Sequence, residues 1–89
     1  MITFKVNDVN ANFWLVRKGA KQTVGKPVRD FSKEHIGVTI TGKLLLPEYM
    51  YYYFDHLHQR KTFENLAKGT TQLCHIRVSD MNEMFQNGI

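Results

Sequence analysis

Arg17, Lys18, Lys21, Lys26, Arg29 and Lys33 fall within one short stretch, with Asp30 as the only acid between positions 17 and 33. Cations at this density suit a polyanion, because every phosphate neutralised by Lys or Arg releases a condensed counterion. The phrases Lys18-Gly19-Ala20-Lys21 and Val24-Gly25-Lys26-Pro27 are punctuated by glycine and proline, which argues for turns or a broken hairpin on flexible ground. Glycines there would let the backbone approach a phosphate closely, yet no GxxxxGK[ST] pattern is present, so a nucleotide-binding loop is not read. A solvated surface that keeps a small protein soluble has the same composition, and charge alone leaves both readings open.

Other chemistry finds less support. His56 and His58 are two apart on an expected helix and point in different directions, while Cys74 and His75 are adjacent on an expected strand and face opposite sides, so neither pair has metal-ligand spacing. Cys74 sits among apolar residues, the setting of a small core side chain rather than a nucleophile. Asp55 and Glu64 form no recognisable acid–base pair. The sequence therefore predicts no catalysis, no metal and no cofactor.

The 89 residues predict one domain, with 43% hydrophobic, 12% aromatic and 22% charged residues, as in an ordinary globular protein. The net charge is +4 and the sequence pI about 9.4. A single cysteine excludes an intramolecular disulfide, no apolar run reaches membrane-spanning length, and the N-terminus lacks a signal-peptide layout; a cytoplasmic setting and no membrane partner are expected.

The elements that must position the basic stretch follow from hydrophobic period. Ile2 to Val6 alternates as a half-buried strand, and Phe13 to Val16 reads as a second strand pairing with it in an antiparallel hairpin across the turn-forming Asn7, Asp8, Asn10 and Asn12. Trp14 is either a core anchor or an exposed stacking platform for a base. Ser32 could cap a short helical turn, and Ile36 to Ile40 is a strand with Ile36, Val38 and Ile40 on one side.

Leu44 to Val78 is the organising platform. Pro47 suits the first position of a helix and Glu48 complements its dipole; Met50, Tyr53, Phe54 and Leu57 form the inward stripe of a helix over about 47–59. Tyr49, Tyr51 and Tyr52 widen the apolar coverage, for a second packing neighbour or for a partner. Thr62 would cap a short second helix, Phe63 to Lys68, that Gly69 stops; Leu73 to Val78 returns as a strand, and Asp80 to Phe85 forms a last helix opened by Ser79. The fold predicted is α+β, a mostly antiparallel sheet packed against a central helix and a short following one.

These residues carry a family likeness. Pro47-Glu48-Tyr49-Met50-Tyr51-Tyr52, then Ala67-Lys68-Gly69-Thr70-Thr71, then a strand and the Ser79-Asp80 turn resemble the latter part of a target recognition domain from the DNA-specificity subunit of type I restriction-modification systems. Trp14-Leu15-Val16-Arg17-Lys18-Gly19 and the Val24-Gly25 turn are similar to the strand-and-glycine region of that family. The family's subunits carry two such domains joined by long helices, which this sequence does not show. The resemblance implies a stand-alone, non-catalytic domain on duplex DNA, with Arg17, Lys18, Lys21, Lys26, Arg29 and Lys33 toward phosphates and Thr70, Thr71 and Gln72 toward base edges. The alternative is a module that binds and modulates a restriction or DNA-processing complex through its tyrosines, and a homodimer would restore the two-domain layout.

Overall fold

A computed structural model describes residues 2–43, 45–70 and 72–88. In chain order the elements are β1 (Ile2–Val6), β2 (Phe13–Leu15), β3 (Lys18–Gly19), β4 (Pro27–Val28), β5 (Ile36–Ile40), α1 (Pro47–Gln59), a 3₁₀ turn (Phe63–Asn65), β6 (Lys68–Gly69), β7 (Cys74–His75) and α2 (Val78–Gly88). They build an α+β fold: an antiparallel sheet of order β1-β5-β2-β4, a small antiparallel sheet of order β3-β7-β6, and two helices.

The central strand is β5. Its buried Ile36, Val38 and Ile40 stand opposite Val6, Phe4 and Ile2 on one side, while Ile36 and Val38 also stand opposite Leu15 and Phe13 on the other. Opposed residues share a face, so the three strands present one apolar layer to the helices. The expected β1–β2 hairpin does not form, because β5 lies between the two strands and pairs antiparallel with both. Residues 7–12 must cross over β5, and Gly37 makes the crossing possible: a Cβ there would lie 2.9 Å from the Cβ atoms of both Ala11 and Asp8. The crossing is fastened by the Asn12 N–H to the Val38 carbonyl at 2.9 Å and by the Ile40 N–H to Asn12 Oδ1 at 2.7 Å. Trp14, opposite Gly37, donates its Nε1–H to the Asp8 carbonyl at 2.8 Å and is buried. The packing role, not base stacking, is the one this burial permits.

Helix α1 has the bounds the sequence predicts, with Pro47 at its start and Glu48 in its first turn. Phe54 is the hub of the core, its ring meeting Phe4, Phe13, Phe63 and Phe85 at centroid distances of 5.0 to 6.2 Å. Full burial of such a ring contributes about 1.5–3 kcal/mol. The helix ends in a Schellman motif: the Thr62 N–H donates to the Leu57 carbonyl at 3.1 Å, the Lys61 N–H donates to the His58 carbonyl at 3.0 Å, and Lys61 takes a left-handed φ of 64°.

That motif also corrects the expected second helix. Thr62 is αR and gives no side-chain cap, only Phe63–Asn65 turns, and the chain then extends as β6. Gly69 is therefore a strand residue opposite Cys74 rather than a helix stop. The expected strand Leu73 to Val78 shrinks to Cys74–His75, because α2 begins at Val78, earlier than Asp80. Asp80 fixes that start: its Oδ2 accepts the Arg77 N–H at 3.1 Å and its Oδ1 pairs with the Arg77 guanidinium at 2.9 Å. The Arg77 hydrogen bond holds the Asp80 carboxyl below its usual range. Ser32 caps no helix; the Ser32–His35 segment is a turn closed by the His35 N–H on the Ser32 carbonyl at 3.0 Å.

Candidate polyanion-binding face

The basic loop is not flexible ground, because it is pinned to the end of α1. Ala20 to Thr23 makes one tight turn, with the Thr23 and Val24 N–H groups both donating to the Ala20 carbonyl. Val24 is fully buried, and Gly25 donates to the Val16 carbonyl at 2.8 Å. A Cβ on Gly25 would fall 2.2 Å from the Phe63 ring, so the loop lies directly on that ring. His58 adds a contact from Nε2 to the Gln22 carbonyl at 2.8 Å.

This packing brings a second basic segment beside the first. Lys21 and Lys26 flank Gln22 and Gly25 in the loop, while Arg60 and Lys61 follow His58 and precede Phe63 at the helix end. All four are exposed, and none makes an ion pair with a described residue. The small sheet extends the arrangement, since its register sets Lys18 and Lys68 on either side of His75. All the lysines and arginines of the chain except Lys5, Lys43 and Arg77 lie in 17–33 and 60–68, whereas the acids of those segments are Asp30 and Glu64.

The arginines expected to meet phosphate are engaged within the protein. Arg17 donates from Nη2 to Glu34 Oε2 at 3.0 Å and from Nε to the Glu34 carbonyl at 2.7 Å, and Lys18 reaches the same carboxylate at 3.5 Å. Arg29 makes a bidentate pair with Glu48 at 2.7 and 3.1 Å, its Cζ lying 3.9 Å above the Tyr51 ring. That pair ties β4 to the first turn of α1. Lys33 is exposed beside Glu34 and makes no ion pair with a described residue.

Thr70 closes the β6–β7 turn: its N–H donates to the Leu73 carbonyl at 3.1 Å, and its hydroxyl accepts the Leu73 N–H at 3.0 Å. Gln72 is exposed at the tip of that turn, and Thr71 and Leu44 lie outside the described residues. Arg60, Lys61, Lys68 and His75 are the members that sequence reasoning passed over. Their one sequence signal was the basic break Arg60-Lys61 after the helix, which acquires meaning only when the loop packs against it.

Lys61 occupies a position where glycine is favoured, since a side chain in the left-handed region costs about 1 kcal/mol. Lys61→Gly is expected to stabilise the protein by about 0.5–1 kcal/mol in urea denaturation. If the charge at this corner serves binding, the same variant loses affinity for a polyanion.

His35 lies next to this face. Its Nδ1 is enclosed without a hydrogen-bond partner among the described residues, and burial first, then the nearby Arg17, push its pKa down against the pull of Glu34. The unfolded chain thus takes up this proton at higher pH than the folded one, so stability is greatest above about pH 6.5 and falls as pH drops through that value toward the lower folded pKa. Thermal melts from pH 8 to 5 are expected to show this decline in the native protein and a shallower one in His35→Gln.

Among the described residues there is no group of three or more His, Cys, Asp or Glu side chains able to hold a metal ion, and no helix is long and apolar enough to cross a membrane. Cys74 is buried, with its Sγ 3.4 Å from the Gly19 carbonyl. No family model, no curated protein and no solved structure matches the chain.

Proposed function

We propose that this protein binds duplex DNA without catalysis, as a stand-alone domain resembling a target recognition domain. The observation that carries the reading is the packing of loop 20–26 on the end of α1, which gathers Lys21, Lys26, Arg60 and Lys61 on one corner. With Lys18 and Lys68 these cations form a face with few acids, suited to a phosphate backbone. Gln72, at the exposed tip of the β6–β7 turn, is the group best set to reach a base edge. Fluorescence anisotropy with a labelled random duplex tests this. Six phosphate contacts predict a log–log salt slope of about −5, and an affinity indifferent to salt would exclude the reading.

A second reading rests on α1. Leu46, Tyr49 and Tyr52, three residues apart, are 68, 63 and 62% exposed, an apolar row of the kind enriched in protein interfaces. The protein would then modulate a restriction or DNA-processing complex, or pair with a second copy. Retention of a protein partner after nuclease treatment, without retained nucleic acid, would favour it.

A further inference from the structure

We propose that the row Lys18–His75–Lys68 across the small sheet is a phosphate-binding site whose hold tightens as the His75 ring takes a proton. The group bound is a phosphate, whether it belongs to duplex DNA or to a free ligand.

The register carries it. Lys18 of β3 and Lys68 of β6 are each directly opposite His75 of β7, so all three side chains leave the same face of the sheet. With strands about 4.8 Å apart, the lysine Cα atoms stand roughly 10 Å from one another with the imidazole between them. Two four-carbon stems can converge over that ring on a single oxyanion. The two lysine charges stand apart on either side of the ring, so an anion between them would face both.

One carboxylate stands at the edge of the row: Glu34 pairs with Lys18 at 3.5 Å and, more closely, with Arg17 at 3.0 Å, so a phosphate would compete with Glu34 for Lys18. On the other side Asp80 is held by Arg77, with Lys68 contributing only a weaker pull on its carboxyl. The His75 ring makes no hydrogen bond or ion pair with any described residue, while its backbone is held in the β3-β7-β6 sheet.

A hollow of about 390 Å³ lies beside the row, lined by Lys18, Gly69, Leu73, Cys74 and His75, with Lys68 outside its lining. Leu73, in the turn just before β7 and part of the lining of this hollow, is 71% exposed. The site thus offers cations for a phosphate and an apolar wall for the organic body attached to it. Binding a phosphate between the lysines favours the charged imidazolium, and by linkage protonation favours the phosphate.

The test follows the His75 ring by NMR on the labelled full chain between pH 5.5 and 8, with inorganic phosphate in one arm and a 12-base-pair duplex in the other, and with His56 as the internal reference. A rise of the His75 pKa by about half a unit or more is expected, about a threefold tightening on protonation. A rise in both arms supports a general phosphate site; a rise with duplex alone supports the same row with the polymer backbone as its source. A rise with phosphate while the duplex fails to bind supports the row and removes the DNA reading. Duplex binding that leaves His75 unmoved, with a pH dependence unchanged in His75→Gln, overturns the row and leaves the DNA reading standing. No response in either arm and no duplex binding overturns both. Should His75→Gln fail to fold, the ring titration in the native chain still decides.

Discussion

Gly25→Ala is expected to remove about 3 kcal/mol or more of stability, a large part of what a small domain has. The new methyl would sit 2.2–2.5 Å from three atoms of Phe63, and that ring cannot retreat, being fully buried and stacked on Phe54 at 6.2 Å. Backbone strain adds to the overlap, because Gly25 holds φ at 86°. For a chain of this size the loss corresponds to a fall in melting temperature of roughly 12–24 °C by calorimetry. Gly19→Ala is the matching control: its φ is also positive, but nothing lies within 4 Å of the added atom, so only the strain remains. Equal losses in the two variants would mean that the loop does not rest on Phe63.

Replacing Lys21, Lys26, Arg60 and Lys61 together by Ala is expected to reduce the steepness of the salt dependence of duplex binding by three to four. At 100 mM salt the affinity should fall by roughly a hundredfold or more, while melting temperature stays close to that of the native chain, since these side chains are exposed and make no ion pair with described residues. Arg29→Ala should behave in the opposite way, loosening β4 from α1 through the lost Glu48 pair and Tyr51 contact while leaving the salt slope almost unchanged. A slope indifferent to the four alanines would place the polyanion elsewhere.

Local pattern carried the parts of the fold that local physics decides. Ile2–Val6, Ile36–Ile40 and Pro47–Gln59 have the bounds that alternation, helical period and Pro47 predict. What the pattern could not decide was partnership. The hairpin of β1 with β2 gave way to β5 because β5 supplies apolar residues opposite both strands, a choice made across more than twenty residues of chain. Gly69 reads as a helix stop from composition, but pairing with Cys74 takes it into a sheet. The same limit applies to the candidate face: its first segment was visible as a basic run, whereas Arg60, Lys61 and Lys68 join it only through the contact of Gly25 with Phe63 and the register about His75.

The most direct test of the account is an amide chemical-shift map of the labelled protein titrated with a 12-base-pair duplex at low salt. The account predicts perturbations confined to residues 18–26, 60–69 and the strand around His75, with the exposed row Leu46, Tyr49 and Tyr52 unmoved. Perturbations centred on that α1 row, or none at all while the protein remains folded, would contradict it.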